Sequence, residues 1–222
     1  MTGLINEVIV MANSTSASTA APVRGRRTRD MADKQARIFE AARRLFAERR
    51  YAAVTTQQVS AEADIATGTL FRYAATKAEL LLMVYNEEFR AVIAGGESAA
   101  RAADSVLDAV WALARPLLEF AGENRETSAI YQRELLFGAR GERFREDGLA
   151  LVSRWQRAVA EHFAAGDPGR GDDGPAELAA RSAFAVVSLW ISEVGDEHRP
   201  LSTVRSQLAQ IAAGVAAEPA ES

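Results

Sequence analysis

Two capping boxes flank a short stretch of this chain and restrict its fold more than any other feature. Thr55-Thr56-Gln57-Gln58 and Thr76-Lys77-Ala78-Glu79 each put a threonine three residues ahead of Gln or Glu. In that spacing the two side chains satisfy the free N–H groups that open a helix. Between the boxes lie Val59 and Ala63 at helical spacing, then Asp64-Ile65-Ala66, then Thr67-Gly68-Thr69-Leu70-Phe71-Arg72-Tyr73. The interval fits a short helix from Thr55 to about Ala63, a three-residue turn at 64–66, and a second short helix from Thr67 to about Tyr73. A long helix starts after Thr76, carrying Leu81, Val84, Tyr85, Glu88 and Val92 along one side. Upstream, Ile38, Ala42, Leu45 and Phe46 recur at i, i+4, i+7 and i+8, which predicts an amphipathic helix over about 33–49, with Arg37, Arg43 and Arg44 largely off the stripe. Three helices and the start of a fourth, joined by tight turns, make a helix-turn-helix unit.

The rest also reads as helix. Segments over about 102–122, 125–137 and 142–164 are periodic; Pro175 suits the first residue of a helix to about Val194, and a last helix covers about 201–215. Pro116 falls inside the first of these and is expected to kink or break it, because it lacks a donor and clashes with the preceding turn. Gly166 to Gly174 reads as a loop. Residues 1–23 have no helical period and read as disordered, and Arg24-Gly25-Arg26-Arg27-Thr28-Arg29 as a basic arm with a glycine hinge. No alternating strand pattern and no internal repeat is visible, so the expected fold class is all-α.

Charge separates the two parts. From Arg24 to Leu80 there are 12 Lys+Arg against 7 Asp+Glu, and from Leu81 to Ser222 there are 14 against 22. A basic N-terminal third on an acidic remainder is the asymmetry expected if one end meets phosphate; a solvated charged face is the alternative. The absence of cysteine excludes disulfides, thiolate metal sites and cysteine nucleophiles. Two histidines, His162 and His198, leave little material for a metal site, and neither metal nor cofactor is expected. No apolar run approaches the ~18 residues of a membrane span. No positive charge precedes the mildly apolar stretch 3–12, so a secretory leader is not expected and the chain reads as cytoplasmic.

At Ile38-Phe39-Glu40-Ala41-Ala42, Leu45-Phe46, Thr55-Thr56, Gly68-Thr69-Leu70-Phe71-Arg72-Tyr73 and Thr76-Lys77-Ala78-Glu79-Leu80, the sequence resembles the tetracycline-repressor (TetR) family. The resemblance covers Ala32 to about Val84 in detail and rests on an ordered set of motifs rather than on one. It implies an N-terminal three-helix DNA-binding domain over 31–77 and a C-terminal helical domain for ligand binding and dimerisation over 78–217, with tails at 1–30 and 218–222. It also implies a homodimeric transcriptional repressor that binds a palindromic operator in double-stranded DNA and is released by a small-molecule effector. An activator of the same fold, or a helical ligand-binding protein without DNA binding, stands as the alternative.

The residues agree with that reading. A recognition helix enters the major groove N-terminus first, so small, hydrogen-bonding residues are needed there, and Thr67, Gly68 and Thr69 supply them. The resemblance puts Phe71, Arg72 and Tyr73 at the DNA surface, where arginine reads guanine or clamps phosphate. Thr55, Thr56 and Gln57 lie at a helix N-terminus, which favours phosphate; Lys77 is a second candidate clamp, and Arg26 and Arg27 belong to the arm. Tyr73 in the core, Arg72 as a solvated residue and Thr55 and Thr76 as caps are the structural alternatives. The chain departs from the family pattern at Arg50 and Asp64, where glycine is usual, at Ala66, where serine caps the recognition helix, and at Ala74, where an aromatic is usual.

In the C-terminal part, Trp111, Phe120, Tyr131, Phe137 and Trp155 are spread over three helices and are the candidates for a ligand pocket, although each also suits plain core. Gln132, Glu134 and His162 could orient a ligand but read more simply as surface residues. The segment Ala179 to Val194 has almost no polar side, so it needs cover on both faces. With the stripe of the last helix it predicts a four-helix dimer interface containing Phe184, Val187, Trp190, Ile191, Leu208 and Ile211; a central helix of a monomer is the alternative. Catalysis is not expected. Ser153 and His162 lack an elbow motif and a placed acid, and Gly138-Ala139-Arg140-Gly141 lacks the strand and lysine of a phosphate loop.

Overall fold

The computed structural model describes residues 21–164, 174–193 and 199–217. Among these the chain is wholly helical: α1 (Ala21–Glu48), a 3-10 turn (Tyr51–Ala53), α2 (Thr56–Glu62), α3 (Thr67–Leu70), α4 (Lys77–Ala100), α5 (Val106–Glu123), α6 (Arg125–Phe137), α7 (Arg143–Phe163), α8 (Pro175–Ser192) and α9 (Leu201–Ala217).

The head, α1 to α3, is built as its periodicity demands. Ile38, Ala42, Leu45 and Phe46 of α1 bury with Val54, Val59, Ala63 and Leu70. Both halves of the first capping box form: the Gln58 N–H donates to Thr55 Oγ1 at 3.2 Å, and the Thr55 N–H donates to Gln58 Oε1 at 2.9 Å. At the second, the Glu79 N–H donates to Thr76 Oγ1 at 3.0 Å, but the Glu79 carboxylate reaches one residue further and accepts from the Ala75 N–H at 2.6 Å. Asp64 takes the turn with φ 51°, a left-handed conformation that aspartate tolerates better than most residues. Arg37 of α1 holds it there, with Nη1 3.4 Å from Asp64 Oδ2, and Arg44 pairs with Glu62 beside it. Ala66 gives α3 no side-chain cap, and the helix begins at Thr67.

Two expectations about the N-terminal region are corrected. α1 begins at Ala21 rather than near residue 33, so residues 21–23 and the arm at 24–29 lie in one continuous helix and Gly25 makes no hinge. Pro22 falls in the first turn, where a missing N–H costs nothing, and the arginines that follow are good helix formers. The recognition helix is also shorter than expected: residues 71–73 form a turn after Leu70.

α4 joins head to body. Leu80 to Asn86 are buried without interruption, because α4 is packed by α1 on one side and by α5, α6 and α7 on others; a helix covered all round needs no polar face. Asn124, between α5 and α6, fastens the same junction: its amide oxygen caps α6 at the Thr127 N–H (3.2 Å) and its Nδ2 donates to the Phe46 carbonyl of α1 (3.3 Å).

Pro116 sits inside α5 without breaking it. It leaves the Ala112 carbonyl without its helical donor. Neighbours take up the disturbed turn: the Trp155 indole N–H donates to the Leu113 carbonyl at 3.0 Å. Gly96 of α4 lies so close that an added Cβ would stand 3.1 Å from the Ala112 oxygen.

α8 is the centre of the body, packed against α5, α6, α7 and α9. The residues expected at a dimer interface share in this packing. Val187, Trp190 and Ile191 of α8 and Leu208 of α9 are buried within their own chain, and Phe184 and Ile211 are half-buried against the same core. Trp190 is fixed by an indole N–H donated to the Arg199 carbonyl at 2.8 Å and by the Arg125 guanidinium 4.8 Å above its ring. What α8 turns outward is Leu178 and Leu189, 53% and 54% exposed, with Ser182, Ala185 and Ser192 on the same stripe. The expected loop at 166–174 lies, up to residue 173, outside the described residues.

Candidate functional site

At the tip of the head, α3 is held by its inner side and presents the other. Leu70 is fully buried and anchors it. The Thr67 and Ser60 hydroxyls share a hydrogen bond of 2.9 Å, and Ser60 Oγ donates to the Gln57 carbonyl at 3.0 Å, so polar contacts fix α3 on α2. Ser60 is buried; its place as a polar residue on an otherwise apolar inner face is the one sequence signal that could have singled it out.

Outward, Gly68 is exposed, and no atom lies within 4 Å of where a Cβ would stand. Nothing in this fold requires glycine there, and a glycine within a helix costs about 1 kcal/mol relative to alanine. Phe71 is 47% exposed. Arg72 is exposed and has no partner among the described residues. Gln57 is exposed and Thr56 and Thr69 are half-buried. Thr55 is spent on its cap. Tyr73 is half-buried, its hydroxyl 3.5 Å from the Met31 carbonyl of α1. Lys77 is turned inward: Nζ donates to the Tyr51 carbonyl at 3.0 Å and sits 4.1 Å over the Tyr51 ring, and burial lowers its pKa. That geometry makes Lys77 first a tether between α4 and the 3-10 turn. Arg26 and Arg27 lie on α1, and their side chains are outside the described residues.

A second feature lies in the body. An apolar cavity is walled by Phe89 and Ile93 of α4, Leu117 of α5, Tyr131, Gln132 and Leu135 of α6, Leu151 and Trp155 of α7, and Phe184, Val187, Ser188 and Ile191 of α8. It opens towards solvent, and its own free space is small, about 50 Å³. No lysine, arginine, aspartate, glutamate or histidine is on its wall.

Of the five expected pocket residues, Tyr131 and Trp155 line this cavity and three do not. Phe137, the last residue of α6, is 81% exposed, while Leu135 in the same turn is buried. Phe120 packs edge-on against Tyr85 and Phe89, with ring centroids 5.5 and 5.0 Å away. Trp111 is half-buried against the core away from the cavity. Gln132, expected at the surface, is 4% exposed and on the wall. Its spacing from Tyr131 and Leu135 does not reveal this, since helical position alone leaves the width of the buried face open.

Tyr131 connects the cavity to the rest. Its hydroxyl donates to Asn86 Oδ1 at 2.9 Å, and Asn86 Nδ2 donates to the Phe144 carbonyl at 2.7 Å. Its ring stacks on Tyr85, 5.3 Å away. Burial raises both phenols, Tyr85 to about 12, so each is a neutral donor at physiological pH. α4, whose first turn is fastened to the head by Lys77 and Tyr51, therefore contributes both to the cavity wall and to this buried network.

Residues 38–84 match the family described as bacterial regulatory proteins, tetR family. Among solved structures, a TetR transcriptional regulator from Rhodococcus sp. RHA1 is similar with a TM-score of 0.63 and 17% identity, over 86% of this chain and 100% of that one. The transcriptional regulator FadR from Bacillus subtilis, solved in complex with stearoyl-CoA, aligns with a TM-score of 0.56 and 12% identity, over 82% of this chain and 98% of that one. RolR, solved with the ligand resorcinol, aligns with a TM-score of 0.57 and 20% identity, over 84% and 87%. Among curated proteins none matches the chain. The matched segment spans the helix-turn-helix and the start of α4, and the all-helical fold extends the likeness through the body. Residues 38–84 of the head thus match the tetR family of bacterial regulatory proteins, and the described chain as a whole shares the fold of these solved regulators.

Proposed function

We propose that this transcriptional regulator is a homodimeric repressor that binds a palindromic operator through α3 and lets go when a small molecule enters the body cavity. The observation that carries the DNA reading is Gly68: exposed, uncrowded and costly to helix stability, it makes sense as the place where a DNA backbone comes close. Thr69, Phe71 and Arg72 beside it offer a hydroxyl, an apolar contact and a bidentate donor to base edges or phosphate. Thr56 and Gln57 at the start of α2 suit phosphate. Lys77 has a secondary part, since its ammonium is engaged by Tyr51.

Two recognition helices read a palindrome when a dimer holds them about 34 Å apart. The outward stripe of α8, with Leu178 and Leu189 among small residues, is the face we assign to that dimer. The effector is assigned to the cavity because its wall includes α4. Displacing Tyr131 disturbs the bond to Asn86 and with it the helix that carries the head. Regulators of similar fold have been solved with stearoyl-CoA and with resorcinol, in keeping with a body that receives a ligand.

The test is selection of bound sequences from a random duplex library, followed by titration of the winner at several salt concentrations. The expected outcome is a palindrome bound with a steep salt dependence and lost in Arg72→Ala. Leu189→Arg is expected to yield monomers that bind half-sites weakly. A chain that is monomeric and shows no salt-dependent affinity for any duplex sinks the proposal.

A further inference from the structure

The cavity wall is apolar except at three places. The Tyr131 hydroxyl is already engaged by Asn86. The other two are Gln132 on α6 and Ser188 on α8, helices that pack directly on each other. Gln132 is 4% and Ser188 7% exposed, and both line the cavity. Gln132 Nε2 and Ser188 Oγ are buried with no hydrogen-bond partner. A buried polar group without a partner is destabilising, and native proteins leave few of them. Two on one cavity wall, on facing helices, ask for an occupant that bonds to both.

The geometry points to an uncharged, largely hydrophobic ligand bearing one hydrogen-bond acceptor, a carbonyl or an equivalent oxygen, which Gln132 Nε2 and Ser188 Oγ receive together. Three observations set that class. Both groups donate, and an oxygen with two lone pairs satisfies both at once. The wall carries no cationic or anionic side chain, so a carboxylate or ammonium inside it is desolvated with no compensating partner. Phe89, Tyr131, Trp155 and Phe184 supply aromatic surface around the cavity, which suits a flat or ring-bearing body. The free space of the cavity is only about 50 Å³, so the ligand parts the side chains as it enters. This rests on the reading of the cavity as an effector site, and it adds what that effector is.

Three probes of one shape test it on the purified full-length protein without DNA: 2-acetylnaphthalene, 2-ethylnaphthalene and 2-naphthoate, by calorimetry at pH 7. The ketone is expected to bind about tenfold more tightly than the hydrocarbon, the size of one well-made hydrogen bond, and the carboxylate at least about a hundredfold more weakly. Gln132→Leu and Ser188→Ala, checked as folded by circular dichroism, are each expected to reduce the ketone's advantage, and the double substitution to abolish it while the hydrocarbon still binds. Equal binding of ketone and hydrocarbon by the unaltered protein overturns the assignment. So does naphthoate binding as tightly as the ketone, or failure of both neutral probes to bind, which leaves the two groups to a bridging water. Binding is read here without DNA. A ketone that binds without releasing an operator therefore counts against the repressor reading and not against this one.

Discussion

The head and the body handle polar groups in opposite ways. In the head, polar side chains find partners: the buried Ser60 with Thr67, and at the surface Thr55 with Gln58 and Arg37 with Asp64. What is left over points outward, at Gly68 and Arg72. In the body the leftover groups are inside, at Gln132 and Ser188 on a cavity wall. A surface made to meet a large polar partner keeps its spare donors in water, where they cost nothing until used. A site for a small apolar partner must hold its donors dry, and it bears the desolvation until something binds. The contrast teaches that the two proposed binding sites would put opposite stresses on the same fold.

Six substitutions strain this comparison, from the largest expected effect to the smallest. Leu70→Ala removes the fully buried anchor of α3. A loss of about 2–5 kcal/mol is expected from a core truncation of this kind, read by thermal denaturation, with operator binding lost in parallel. Asn86→Ala breaks the bonds to Phe144 and Tyr131 and is expected to cost about 1–3 kcal/mol by leaving buried partners unpaired; a denaturant titration checks it.

Thr55→Ala and Gln132→Leu form an opposed pair. The first deletes a cap made in the head and should cost about 1 kcal/mol. The second deletes an unmet group in the body and should be neutral or stabilising by up to about 1 kcal/mol. If both destabilise alike, Gln132 has a partner in the folded chain and the contrast fails. Gly68→Ala is expected to raise the melting stability of the head by about 0.5–1 kcal/mol while weakening operator binding at least several-fold. A stabilised protein with unchanged affinity would show that DNA does not approach that position.

Glu97→Gln carries the smallest effect. Arg154 holds Glu97 with Nε 2.8 Å from Oε1 and Nη2 2.6 Å from Oε2, tying α7 to α4. That pairing lowers the Glu97 pKa. A carboxyl depressed on folding adds stability above its unfolded pKa, and the gain is lost as pH falls through the folded value. The pair is partly solvated, so about 0–1 kcal/mol is at stake near neutrality. In melts at pH 7 and pH 3, the difference from the unaltered protein should shrink at the lower pH.

Much of the head was legible because its signals are local. Thr55 and Gln58 are three residues apart, so a cap can be seen without a partner helix, and Pro175 opens α8 for the same reason. Asp64 was readable as a turn residue because it stands where the resembled family usually has glycine. The body resisted because its decisive contacts join residues far apart in the chain. Phe137 and Trp155 look alike as aromatics on helical stripes. Only the end of α6 puts the first in water, and only the Leu113 carbonyl on the neighbouring α5 gives the second its partner. α8 announced that it needed cover on more than one side, but not that its own chain would cover Trp190 and Ile191 and leave Leu178 and Leu189 outside.

The sequence by itself therefore determined the number and order of most helices, the caps that start them, the head's inner stripe and the family that residues 38–84 match. It did so because backbone hydrogen bonds, capping and 3.6-residue periodicity act over a few residues. Tertiary structure alone decided which side of α8 faces water, where the cavity opens and which polar groups are left unpaired within it. Those outcomes depend on how separate helices pack, and packing is settled by the fit of many side chains together rather than by any one of them.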